Sequence, residues 1–190
     1  MQNIDIVIKT LKENYGSFKK PVVTKISEEK DPFKVLISCL LSLRTKDEVT
    51  EKASNRLFKI ASTPEEIINI NTKKLEKIIY PVGFYKTKAK RIKEICKILI
   101  SNYNSKVPDS IEELLKLKGV GRKTAQIVLV YGYNKKYYLP IDIHCHRIPN
   151  RIGWVKTKIP NETEIALRQI IPKNYWADFN NLFVSFGQNI

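Results

Sequence analysis

Lys123 stands two residues beyond Gly119-Val120-Gly121, and Asp142 follows nineteen residues later, within Pro140-Ile141-Asp142-Ile143-His144-Cys145-His146-Arg147. A lysine amine attacks an electrophilic carbon only when it is neutral, whereas in water its pKa is about 10.4. The first turn of a helix and an adjacent cation, here Arg122, both disfavour an ammonium and push toward the reactive form. An aspartate that opens a helix ordinarily serves as its N-cap. The same carboxylate can also stabilise positive charge developing on a reacting centre. Gly121-Arg122-Lys123-Thr124 faintly echoes a nucleotide-binding P-loop, but that loop requires a glycine, four residues, then Gly-Lys-Ser/Thr after a buried strand. Here Arg122 precedes the lysine and the preceding segment reads as a capped helix.

The elements around Lys123 read helix, hairpin, helix. Leu114 and Leu117 end one amphipathic helix, Gly119 and Gly121 are expected to allow positive φ and close backbone approach, and Ala125, Val128 and Leu129 pack a second helix against the first. The start of the second helix offers backbone N–H groups at the positive end of its dipole, which bind a phosphate without regard to sequence. Gly119, Val120, Gly121 and Arg122 are therefore candidate ligands of a nucleic-acid backbone.

Helix starts recur elsewhere. Asp31-Pro32 places a cap and a first-turn proline ahead of Phe33 to Ile37, while Thr63-Pro64-Glu65-Glu66 and Ser110-Ile111-Glu112-Glu113 both read as capping boxes. Ile92, Ile95, Cys96 and Leu99 share one face of a helix over 89–100. Val22-Val23 and Tyr137-Tyr138-Leu139 are too short and isolated for a sheet. The fold is expected to be all-α, with about ten helices.

Composition narrows the class. With 34 Lys+Arg against 19 Asp+Glu, the net charge of +15 over 190 residues favours a polyanionic partner through counterion release. Cys39, Cys96 and Cys145 are odd in number and far apart, which reads as reduced thiols and an intracellular setting, cytoplasm or nucleoid in a prokaryote. His144-Cys145-His146 is too compressed to chelate one ion, and no other spacing suits a metal. No segment reads as a secretory signal or approaches a membrane span, so a soluble protein without a membrane partner is expected.

Together, the hairpin with Lys123 and the Asp142 segment resemble the endonuclease III family of the helix-hairpin-helix DNA glycosylases. In that family a lysine two residues past the hairpin and an aspartate opening a later helix act together. The resemblance extends to Asp31-Pro32-Phe33 through Asp47 as first core helices, to Gly83-Phe84-Tyr85 with Lys88-Ala89 as a wedge loop, and to Phe183 through Gln188 as a last core helix.

The resemblance implies two helical lobes with an active-site cleft between them: a core over 24–136 carrying the hairpin at about 110–132, and a second lobe from 1–23 and 137–190. It implies a bifunctional glycosylase and AP lyase, with Lys123 and Asp142 catalytic, acting as a monomer on duplex DNA with an oxidised or ring-saturated pyrimidine or an abasic site. Lysine at 123 argues against branches that lack lyase activity, including the adenine-removing and some thymine-mismatch ones; a mismatch thymine or uracil DNA glycosylase is the alternative enzyme. A non-catalytic protein that recognises DNA structure, with Lys123 a phosphate contact, is the reading from another class. Phe84 is the candidate wedge between bases. Arg44, in Leu43-Arg44-Thr45-Lys46-Asp47, stands where relatives often supply a glutamine to fill the vacated helix. Lys118 replaces the proline that often precedes the first hairpin glycine. Many relatives hold a 4Fe-4S cluster in a four-cysteine loop after the position of Ile190. None of those cysteines is present, so a cluster is expected only if the native chain continues past Ile190, and no cofactor is otherwise identifiable.

Overall fold

The computed structural model describes residues 3–190. Met1 and Gln2, which the expected second lobe includes, lie outside the described residues. Twelve α-helices make up the described chain: α1 (Ile4–Asn14), α2 (Val22–Ser27), α3 (Pro32–Ser42), α4 (Asp47–Phe58), α5 (Pro64–Asn69), α6 (Thr72–Ile79), α7 (Tyr85–Tyr103), α8 (Ile111–Lys116), α9 (Arg122–Ile127), α10 (Ile143–Arg151), α11 (Pro160–Ile170) and α12 (Trp176–Asn189). No strand occurs among the described residues. The all-α expectation holds, and the Val22-Val23 pair that could have begun a strand opens α2.

The chain divides into two units, one of Val22–Asn134 and one joining the described residues up to Pro21 to Lys135–Ile190. In the first, α3 is apolar nearly all round, with Val35, Leu36, Ile37 and Leu41 fully buried, because it packs on α2, α4, α7 and α9 at once. Its start follows its sequence: Asp31 accepts from the amides of Phe33 (2.8 Å) and Lys34 (3.2 Å), with Pro32 in the first turn. Thr63 and Glu66 form the full reciprocal capping box at α5.

At α8 only half of the expected box forms. Ser110 accepts from the Glu113 amide at 3.2 Å, but the Glu113 carboxylate turns away to the Tyr103 hydroxyl (2.7 Å) and the Lys116 ammonium. A phenol and a cation within reach are stronger partners than a helix-end amide that water can serve. Both draw the Glu113 carboxyl below its usual range.

The predicted 89–100 helix extends to nineteen residues as α7. Its buried face is Ala89, Ile92, Ile95, Cys96 and Leu99, packed on α5 and α6, and each large aliphatic side chain buried there contributes roughly 2 kcal/mol. Asn104 ends it in the left-handed region at φ 49°, donating its amide to Leu99 O. After α9 the helix widens into a π-helical turn over Val128–Gly132. A Cβ at Gly132 would meet Pro32 Cα at 2.8 Å, so this glycine lets the turn lie against the start of α3.

In the second unit Ile8, Leu139, Cys145, Leu167, Phe179 and Phe183 form a core, with Phe179 and Phe183 stacked at 4.1 Å between centroids. The chain termini of this unit are joined by α1 packing on α12 and by the Lys12–Asp178 ion pair at 2.6 Å.

Candidate active site

The hairpin between α8 and α9 is tight. Leu117 and Val120 are buried, and the Val120 amide donates to Leu117 O at 3.0 Å, which closes the turn. Gly119 lies at φ 86°, where a side chain is strained. Gly121 departs from expectation: at φ −94°, ψ 174° it is ordinary extended backbone, with nothing within 4 Å of where a Cβ would stand. One left-handed residue is enough to reverse this chain, and Gly121 serves as the N-cap of α9. Its missing side chain leaves the approach to the helix start open. Lys118 is exposed and does not disturb the turn.

Lys123 is the second residue of α9 and is exposed, while Thr124, Ala125 and Gln126 behind it are buried. The first rung of α9 runs from the Ala125 amide to Gly121 O at 2.9 Å, so the amides of 122–124 precede its ladder. Cys39 on α3 lies within the electrostatic reach of Lys123. Burial pushes its thiol up to about 12, against the pull of the Lys123 charge.

Asp142, in the other unit, caps α10. Its Oδ1 accepts from the Cys145 amide at 2.8 Å, its own carbonyl accepts from the His146 amide at 2.8 Å, and it is only 9% exposed. Asn180 of α12 holds the flanks of this cap, donating to Pro140 O at 3.1 Å and to Cys145 Sγ at 3.5 Å. His146 Nδ1 pairs with Thr163 Oγ1 at 2.6 Å, while His144 lies so close to Gly187 that a Cβ there would sit 2.2 Å from Nδ1. His146 is thus tied to α11, and His144 packs against α12.

Arg44 and Phe84 come together in the first unit. Both occupy the left-handed region, at φ 52° and 58°, and the Arg44 guanidinium lies 5.9 Å from the Phe84 ring centre. Phe84 is 63% exposed, which excludes a buried turn aromatic. A Cβ on Gly83 would stand 2.5 Å from Arg44 O, so glycine is required for the two loops to touch.

Lys88 locks those loops together and was not a predicted site residue. Its ammonium donates to Leu41 O (2.8 Å), Leu43 O (2.5 Å) and Thr45 Oγ1 (3.1 Å), and Thr45 Oγ1 in turn accepts from the Gly83 amide at 3.1 Å. Burial lowers its pKa from 10.5 to about 8. The signal was present in the sequence: Lys88 shares a helical stripe with Ile92, Ile95 and Leu99, and a cation on an apolar stripe must find acceptors.

A 4Fe-4S cluster needs four convergent thiolates. The three cysteines lie on separate helices, α3, α7 and α10, and burial raises the thiols of Cys39 and Cys96 to about 12, against ionisation. Among the described residues no three His, Cys, Asp or Glu side chains are grouped to hold a metal. The residues present do not fit a cluster. No helix among the described residues is long and apolar enough to cross a membrane.

The model of the HhH-GPD superfamily base excision DNA repair protein matches residues 37–173. Endonuclease III of Thermotoga maritima is 53% identical over 163 residues, which cover 86% of this chain and 76% of that protein. Endonuclease III-like protein 1 of Gallus gallus is 42% identical over 158 residues, 82% of this chain but only 56% of that protein. A solved structure of a trapped endonuclease III–DNA covalent intermediate, in an estranged-adenine complex, superimposes with a TM-score of 0.85 at 30% identity, over 98% of this chain and 85% of the other. The glycine hairpin before an exposed lysine, the capped Asp142 helix and this similarity over most of the length establish that the chain belongs to the endonuclease III family of HhH-GPD base excision DNA repair proteins.

Proposed function

We propose that this chain removes oxidised or ring-saturated pyrimidines from duplex DNA, with Lys123 as covalent nucleophile and Asp142 as its electrostatic partner. A DNA glycosylase with AP lyase activity is the class its family membership gives. The observation that carries the residue assignment is the exposed Lys123 in the first turn of α9, directly behind the hairpin.

In the stack C1′ is out of reach, so the damaged nucleotide is first extruded from the duplex. The glycosidic bond breaks, the base departs with the bonding electrons and gains a proton, and Asp142 stabilises the positive charge left on the sugar. The Lys123 Nζ lone pair forms the bond to C1′. One proton leaves Nζ as the C1′–O4′ bond breaks and O4′ takes up a proton, which gives the protonated C1′=N imine. Removal of a 2′ proton then drives cleavage of the C3′–O bond, the 3′ phosphate leaves, and water releases the unsaturated aldehyde from Lys123. Gly119, Val120, Gly121 and Arg122 hold the backbone phosphate, while Phe84 enters the stack as the wedge.

A panel of duplexes, each with one lesion, tests the substrate assignment by scoring base release and strand cleavage separately. Both products from thymine glycol and dihydrouracil, and neither from a thymine mismatch, are expected. Release of mismatched thymine without cleavage would overturn the assignment.

A further inference from the structure

A groove of about 420 Å³, lined by Lys73, Glu76, Lys77, Tyr80 and Tyr85, lies between the end of α6 and the start of α7, wholly within the Val22–Asn134 unit. Tyr80 follows the last turn of α6, and its backbone is fixed there. Its amide donates to Glu76 O at 3.0 Å, and the Arg56 guanidinium of α4 donates to Ile78 O at 2.9 Å and to Tyr80 O. Carbonyls that a helix end leaves without partners are thus satisfied by a side chain of α4. The Tyr80 ring stands out from this anchored backbone at 59% exposure, edge-to-face with Tyr85 at 5.3 Å between centroids and 86° between planes. In that arrangement one ring keeps both faces clear of the other. Tyr85 directly follows the wedge residue Phe84, so the groove adjoins the wedge turn.

The lining combines rings with uncommitted cations. Among the described residues no ion pair or hydrogen bond holds the ammonium of Lys73 or Lys77 or the hydroxyl of either tyrosine. Lys86 adds a third ammonium, 6.0 Å from the Tyr85 ring centre, and from 72 to 103 the chain carries nine Lys and Arg against two Glu. Glu76, the one acid of the lining, is an acceptor for a base amino group. Ammonium groups of this kind match phosphates, whereas a ring face calls for another ring. A duplex meets only the first demand, because its bases cover one another in the stack and leave their edges and the backbone open. An unpaired strand meets both, with phosphates along its length and base faces free to stack.

We propose that this groove binds single-stranded DNA that runs off the duplex beyond the wedge turn, one unpaired base stacking on Tyr80 and Tyr85 while Lys73 and Lys77 take the adjoining phosphates. The protein then favours lesions in duplex that borders a single-stranded arm. This rests on the duplex-lesion reading above, since the arm continues a strand already held at the wedge.

Equilibrium binding of the whole chain to duplexes with one abasic-site analogue tests this without any chemical step. The duplexes are blunt or carry an unpaired arm of about ten nucleotides on one side of the analogue or the other, long enough to fill one single-strand site. Affinity about tenfold higher for one of the two armed duplexes than for the blunt one is expected, the gain that a stacked base supplies. Tyr80→Ala should erase that gain and leave the blunt duplex unchanged, and Tyr80→Phe should retain it. Replacing both Lys73 and Lys77 by Gln should make the salt slope of the favoured armed duplex shallower by about 1.4, two single-strand phosphates' worth. Equal affinity for blunt and armed duplexes in the unaltered chain would overturn the proposal. So would the full gain from an arm of sugar and phosphate without bases, which marks charge alone, or an equal loss on blunt and armed duplexes in Tyr80→Ala, which marks a duplex contact or a weakened fold. Borohydride capture of a blunt natural abasic duplex, run in parallel, reports on the Lys123 reading alone: capture without an arm preference refutes only the groove, and an arm preference without capture refutes only the lysine.

Discussion

At the residue scale, Lys123 and Lys88 divide two uses of an amine. Lys123 is exposed at the start of α9, and Lys88 is buried with all its donors committed. Lys88→Met should cost about 2 kcal/mol in urea unfolding, because two carbonyls lose a buried donor. Its pH signature has a definite sign. Lys88 in the folded chain gives up its proton near 8, whereas in the unfolded chain it holds it to about 10.5. Across that window the unfolded chain binds more protons, so this group's contribution to stability increases with pH. The stability gap between the unaltered chain and Lys88→Met should widen from pH 8 to 10. A gap that narrows would contradict the assignment of burial as the cause.

At the element scale, the two hairpin glycines differ in what they tolerate. Gly119→Ala meets both a left-handed backbone and the Arg91 side chain, so it should lower stability by about 1–2 kcal/mol and weaken DNA binding with it. Gly121→Ala has a permitted backbone and empty space, so thermal melting should stay within about 2 °C while duplex affinity falls, because the methyl group stands where a phosphate approaches. Equal melting losses in both would refute this division. Caps and periodicity made most of these elements legible: Asp31, Thr63 and the stripe from Ile92 to Leu99 each wrote their helix into the sequence. The asymmetry of the glycines was not legible, since Gly-x-Gly does not say which glycine turns the chain. Nor was the fate of Glu113, because Tyr103 reaches it only once α7 and α8 are packed. Lys88 was legible as an anomaly on an apolar stripe, but its acceptors, at the end of α3, are more than forty residues away in sequence.

At the scale of the whole molecule, the net charge of +15 predicts that binding to undamaged duplex falls steeply with salt, with a log–log slope of about −4 or steeper. A slope near zero would remove counterion release as the source of affinity. The central claim remains the covalent role of Lys123. Borohydride reduction during turnover of an abasic duplex, followed by peptide mapping, tests it most directly. One stable protein–DNA adduct carried on Lys123 is expected, lost in Lys123→Gln while duplex affinity stays within about threefold. An adduct on another residue, or one that survives in Lys123→Gln, would contradict it.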